Sequence, residues 1–422
     1  MKKILLFVSV LFLGISLTSC DIFSPAETTT TTEELTADTE NYIEISTASE
    51  LEAIDMTKSY ILMADLNLLG IEWIPLGTYD IPYLGNFDGN NHTISNVTIT
   101  SDQSVYNGLF GRVSGNIQDL TLTNVSIIFE TDFLTYVGGL AGFTEGNVEN
   151  VTVTGVIDVN NTKSNSYVGL LIGLSQAPID VLTTVIDFKP NTILNNSVSG
   201  TITLDSNNVP FIGGMIGKTF NSNVANNYSE TVITVRLDEY LGYIGGFIGD
   251  NYGGLLYGYE DDIDDVNIYI ENNVSISDIT VTIDKKDVSV GGFIGNNHSG
   301  FNRDNYCESE IHILGNVEAT TTLNIGGYIG ENWISQVNNT VTVYNLTISI
   351  DSDYINNNAL FIIGGDFSEA DFQHNYVACL SDDIDVSDLA GLSEITSADY
   401  ESSTFFSDTM LWETEQINKI LN

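Results

Sequence analysis

From residue 85 to residue 380 the apolar positions recur with a period of two. Segments such as Val151-Thr-Val-Thr154 and Val341-Thr-Val-Tyr344 set β-branched residues alternately with Thr or other polar groups. That alternation predicts strands with one buried face. No helical period interrupts it over this span, so the chain predicts an all-β body.

Between the strands a glycine phrase returns: Gly108-Leu-Phe-Gly111, Gly138-Gly-Leu-Ala-Gly142, Gly169-Leu-Leu-Ile-Gly173, Gly213-Gly-Met-Ile-Gly217, Gly245-Gly-Phe-Ile-Gly249, Gly291-Gly-Phe-Ile-Gly295 and Gly326-Gly-Tyr-Ile-Gly330. A decayed copy follows at Ile362-Ile-Gly-Gly365. The terminal glycines are 31, 31, 44, 32, 46 and 35 residues apart, the spacing of a solenoid or array. Such glycines suit corners of positive φ or close backbone approach. An Asn or Asp follows each phrase, at Asp119, Asn150, Asn196, Asn227, Asn273, Asn305, Asn339 and Asn375. It stands 8–10 residues on, except for 23 after Gly173 and 24 after Gly249. Two insertions therefore enter at one corner of the repeat. Stacked Asn side chains can satisfy one another up such a column.

The architecture predicted is a right-handed parallel β-helix, or solenoid, with one rung per repeat. A propeller is the alternative, although 31 residues are few for a four-stranded blade. The repeat resembles the GLUG repeat of bacterial surface proteins, on Gly138-Gly-Leu-Ala-Gly142 followed by Asn147-Val-Glu-Asn-Val151. That repeat also occurs in non-catalytic regions of some immunoglobulin A proteases. The resemblance covers residues 43–380 and implies a surface-exposed, non-catalytic role. Residues 42–100 read as an N-terminal cap and first rungs, with Thr47 or Ser49 capping a helix that carries Leu51 and Ile54. Repeats fill 101–380, and 381–422 read as a small C-terminal cap carrying Phe405, Phe406, Leu411 and Trp412.

The N-terminus adds a location. Lys2 and Lys3 precede an apolar run, Ile4 to Ile15, too short to span a bilayer. Leu17-Thr-Ser-Cys20 resembles the bacterial lipoprotein box, which implies a signal peptide over 1–19 and diacylglyceryl attachment to the Cys20 thiol. Residues 20–41, with five consecutive Thr (28–32) followed by acids, read as a tether of roughly 25 Å reach. The expected partner through Cys20 is the membrane, and the expected location is the extracytoplasmic cell surface.

Charge narrows the function. The chain of 422 residues carries 57 Asp+Glu against 12 Lys+Arg, a formal net charge of −45. Nucleic acid is not expected as a partner, because phosphate binding needs clustered Lys and Arg. Lyases acting on acidic sugars need cationic groups, and the few bases are scattered over separate rungs. Hydrolases need a facing carboxylate pair, which no rung repeats. His92, His298, His312 and His374 form no metal motif. The expectation is therefore no enzyme and no cofactor. Cys307 and Cys379 fall two rungs apart, near 10 Å, too far for a disulfide, and are expected to be buried free thiols.

The insertions are the candidate binding site. One spans Ser175 to Pro190. The other, Asp250 to Ile270, holds Tyr252, Tyr257 and Tyr259 with Glu260, Asp261, Asp262, Asp264 and Asp265. The tyrosines suit a sugar ring or a protein partner on a host or neighbouring cell. Asp261, Asp262, Asp264 and Asp265 could hold Ca²⁺ but lack the spacing of a calcium loop, so a solvated acidic loop is the blander alternative. The function expected is display of an adhesin-like or glycan-binding surface. Its alternatives are a structural surface coat and, less favoured, a carbohydrate-active β-helix enzyme.

Overall fold

The computed structural model describes residues 38–101, 104–161, 163–178, 189–238, 241–253, 268–284, 287–316, 322–333 and 335–350. It also describes 361–363, 371–373, 375–379, 392–394, 405, 410 and 420. All of them belong to one compact unit, Thr36–Asn422. Cys20 and the signal segment lie outside the described residues.

Nearly all of the described chain is strand, in two sheets of 20 and 14 strands. Every pairing between their strands is parallel. In the first sheet Val148–Asn161 pairs with Ile117–Thr131 on one side and Ser197–Ser206 on the other. The series continues through Tyr228–Leu237, Val274–Asp284, Tyr306–Asn316 and Val341–Ile350, each beside its counterpart one repeat on. Propeller blades pair their strands antiparallel within a blade, so that alternative falls. The second sheet takes two short strands from most repeats, such as Pro210–Gly213 and Ile216–Phe220 on either side of a bend at Gly214-Met215, and one continuous strand, Leu323–Asn332, from a later one.

The period-two pattern places the core. Ile157, Ile202, Ile233, Ile279 and Ile311 occupy one register position on five successive strands, and all are fully buried. Opposite them Phe247, Phe293 and Tyr328 stack within the second sheet at centroid distances of 4.7 and 4.9 Å. Burying each such aliphatic side chain contributes about 1.5–3 kcal/mol.

Apart from Gly108, at φ 159°, the glycine phrases work by close approach and not by positive φ. A Cβ on Gly214 would lie 2.4 Å from Thr231 Oγ1, and one on Gly292 would lie 2.3 Å from Ser309 Oγ. The second glycine at 214, 246 and 292 thus lets the two sheets meet over small polar residues, while at 139 and 327 it makes room for Val153 and for the Tyr344 ring. The positive φ needed at the turns is carried by Asp119, Asn150, Asn195, Asn226, Asn272, Asp304 and Asn339 instead. These amide and short acidic side chains tolerate the left-handed region.

The single Asn/Asp column expected from sequence is in fact two columns, one residue apart. Asp119, Asn150 and Asn339 belong to the positive-φ turn column. Asn196, Asn227, Asn273 and Asn305 form a buried ladder beside it. Each of the first three donates its backbone N–H and its Nδ2 to the Oδ1 of the next, at 2.8–3.1 Å. Each Nδ2 also donates to a carbonyl of the preceding repeat, as Asn227 does to Ile193 O at 2.9 Å. Every polar atom of these buried amides is thereby paired.

The expected N-terminal helical cap shrinks to one turn. The helix is Ala48–Glu52, with Thr47 as N-cap in a reciprocal capping box with Glu50. Leu51 is buried on it, whereas Ile54 lies past its end. Strand Asp38–Ile45 precedes it and pairs parallel with Lys58–Leu62. Toward the C-terminus, Leu392–Glu394 pairs with Asn375–Cys379. Met410 packs on Val274, Tyr306, Val341 and Val343, with Phe405 and Ile420 against the same cluster. The rest of the expected C-terminal cap lies outside the described residues.

Cys307 is buried and free. Its register partner is Thr342, whose own partner is Val377. Cys379 pairs with Tyr344, so it sits two repeats on and two residues further along the strand.

Candidate ligand groove on the outer face of the first sheet

Alternation along the long strands sends every second side chain outward. On Tyr228–Leu237 the outward set includes Tyr228, Glu230 and Val232, while Ser229, Thr231 and Ile233 are buried. Register then stacks the outward residues into columns. One column runs Ser199, Glu230, Ile276, Glu308, Val343. The next runs Thr201, Val232, Asp278, Glu310, Asn345.

These two columns form the floor of an open groove of about 430 Å³ that crosses five strands. Four carboxylates line it, and no lining residue is Lys or Arg. Tyr306 Oη donates to Glu308 at 2.9 Å, and Tyr228 Oη donates to Glu230 at 3.3 Å. Burial, helped by the Glu230 charge, pushes the Tyr228 hydroxyl up to about 12. The Tyr228 phenol therefore stays a neutral donor at neutral pH and orients Glu230. Met410 and Phe405 pack on Tyr306 and Val343 at one edge of the groove.

At the other edge stands His312, one outward position beyond Glu310 on the same strand. Single donor atoms of Asp278, Glu310 and His312 all lie within 4.8 Å of one another. The histidines were set aside in the sequence because none has a metal motif within its own segment. The signal lay in the repeat: Glu310-x-His312 on one strand, and an acid at the equivalent of Glu310 one repeat earlier.

The insertion residues fare differently. Tyr257, Tyr259, Glu260, Asp261, Asp262, Asp264 and Asp265 lie outside the described residues. Tyr252 is described, and it stacks between Phe220 and His298 at centroid distances of 5.7 and 3.5 Å. Both of its faces are thus occupied, which removes it as a free platform for a sugar. The strands that lead into the two insertions, Ile172–Gln176 and Ile248–Tyr252, both pair with Ile216–Phe220. Those that receive them, Asn191–Leu194 and Tyr269–Glu271, are likewise joined through Ser222–Ala225. The insertions therefore leave the body at one corner, two repeats apart. In the intervening repeat Asn221 alone makes the same corner.

A second outward face carries rings. Tyr106, Tyr136, Tyr167, Phe211 and Tyr243 stack along the second sheet at 4.6–5.4 Å. Their faces meet each other, so this ladder offers ring edges rather than faces to a ligand.

Comparison with known proteins adds one structure. A crystal structure of a candidate immunoglobulin A1 protease from Bacteroides ovatus matches over 70% of this chain and 84% of its own, with 17% identity and a TM-score of 0.43. No protein-family profile matches the chain. No curated protein matches it either. Among the described residues no helix is long and apolar enough to cross a membrane.

Proposed function

We propose that this chain is a surface-displayed binding protein whose groove takes a neutral polyhydroxylated ligand, a cell-surface glycan being the favoured class. It is held outside a bacterial membrane by lipid at Cys20 and carried on a tether that ends where strand Asp38–Ile45 begins, short of the 41 expected from sequence. Its repeats coil as a right-handed, GLUG-type solenoid. The observation that carries the reading is the groove lining: Glu230, Asp278, Glu308, Glu310, Asn345 and Thr201 on five adjacent strands, without a Lys or Arg. Carboxylates and amides accept hydrogen bonds from ligand hydroxyls, and the uncompensated charge repels anionic polymers. Val232 and Ile276 give C–H surface between them.

The acidic insertion with Tyr257 and Tyr259 supplies a further contact with the partner. A glycan array probed with the mature chain tests the reading. Neutral glycans should bind, and Glu308→Gln with Asp278→Asn should weaken them at least tenfold. Deleting 254–267 should lower attachment to whole cells further. Absence of any glycan hit, or hits indifferent to both substitutions, would overturn the groove as the site.

A further inference from the structure

We infer that Asp278, Glu310 and His312 form a binding site for a first-row divalent transition ion, with zinc as the natural probe. Asp278 and Glu310 stand directly opposite each other on paired strands. Like charges in that position repel and destabilise the pair. No Lys or Arg lines the groove to relieve them. The nearest basic group is His312, whose Nε2 lies 3.9 Å from Glu310 Oε2. Three donor atoms within 4.8 Å of one another can close on one ion by small rotamer changes.

The donor set selects the ion. Two carboxylates and one imidazole suit Zn²⁺ and its neighbours. Calcium wants six to eight oxygens, and a nitrogen donor counts against it. Three protein donors would leave a tetrahedral ion one further position to fill. The site is built by register. Glu310 and His312 come from Tyr306–Asn316 and Asp278 from Val274–Asp284, so a bound ion would clamp one repeat to the next. It stands independently of any glycan, because its test uses the metal alone.

The test is calorimetric titration of the chelator-treated mature chain with ZnCl₂, beside thermal melts with and without zinc. One zinc should bind per chain, and zinc should raise Tm. His312→Ala and Asp278→Asn should each weaken binding at least tenfold and abolish the zinc-dependent rise. Both side chains point outward, and Asp278→Asn also relieves the repulsion with Glu310, so neither variant should melt below the parent in chelator, which separates loss of the site from loss of fold. Calcium at equal concentration should give no variant-sensitive heat. Zinc binding unchanged in both variants would assign the ion to other acids and overturn the site. So would the absence of binding, or calcium binding that depends on the same residues.

Discussion

Gly246 packs so closely on Ser277 that a Cβ at 246 would lie 2.3 Å from the serine Oγ. The same Cβ would lie 2.1 Å from the carbonyl oxygen of Gly292 in the next repeat. Ser277 belongs to the first sheet and Gly246 to the second, so this contact sets how near the two sheets come. Gly246→Ala should therefore cost on the order of 3 kcal/mol in urea denaturation, at the upper end for overpacking. Ser277→Gly should not rescue it, because the clash with a backbone carbonyl remains. A cost within about 0.5 kcal/mol of wild type would mean the sheets are not held together this way.

Asn195 and Asn196 are neighbours with opposite requirements. Asn195 is exposed at φ 56°, and Asn196 is buried within the amide ladder. Asn195→Gly should be tolerated, while Asn195→Ala should cost about 1 kcal/mol, because alanine lacks the short polar side chain whose local hydrogen bonding lets Asn adopt the left-handed region. At 196 the side chain matters. It accepts from Val151 N–H at 2.9 Å and donates to Val148 O at 3.1 Å. Asn196→Ala orphans both buried groups and should cost about 3 kcal/mol. Equal losses at the two positions would merge the columns again.

How much of this was legible follows from what repeats make visible. The strands were legible because Val, Ile and Thr alternate, and the insertions because the glycine spacing lengthens at one corner. The groove was not, because it is made by register. Glu230, Asp278 and Glu310 are ordinary outward acids until five strands are laid side by side. The two Asn columns merged for a related reason, since a one-residue offset is invisible until φ values separate the turn from the ladder. The glycines were read correctly as needing room. Of the two reasons open to them, positive φ or close approach, nearly all the phrases use close approach, because Asn and Asp took the turns.

Tyrosine burial predicts alkaline unfolding. Burial, with the Glu331 and Asp250 charges adding to it, pushes Tyr243 up to about 12. Tyr136 and Tyr167 are also raised, by burial first. A raised folded value means that the native state holds its proton more tightly than the unfolded chain does. This contribution is whole below the unfolded value of about 10 and is lost as pH rises through the folded one. Stability should thus fall between about pH 10 and 12, with phenolate absorbance appearing alongside unfolding. Tyr243→Phe should make that fall shallower.

Cys307 is fully enclosed, and burial drives its thiol well above the ordinary range. In a Cys20→Ser, Cys379→Ser background, a maleimide reagent should leave the folded chain unlabelled at neutral pH and label it completely in denaturant. Rapid labelling of the folded chain would contradict the strand register that buries residue 307.

The buried ion pair on the second sheet yields a sharper test, because its two partners are unequally replaceable. Lys218 Nζ lies 2.6 Å from Asp250 Oδ2, and the Asp250 side chain is only 1% exposed. Asn296 Nδ2 donates to Asp250 Oδ1 at 3.0 Å, and His298 Nε2 stands 3.3 Å from the same oxygen. Lys218 also lies over the Phe211 and Tyr252 rings, at 4.7 and 4.4 Å. Lys218→Met keeps that packing but strands a buried carboxylate, which costs about 3–5 kcal/mol. Asp250→Asn in the same chain removes the charge and keeps a polar group among Asn296 and His298, so the double variant should recover most of the loss. Tyr252 closes the strand that leads into the acidic insertion, so its anchoring should follow the same pattern: proteolysis within 254–267 should quicken in Lys218→Met and slow again in the double variant. Losses that simply add would show that the two side chains do not act as a pair.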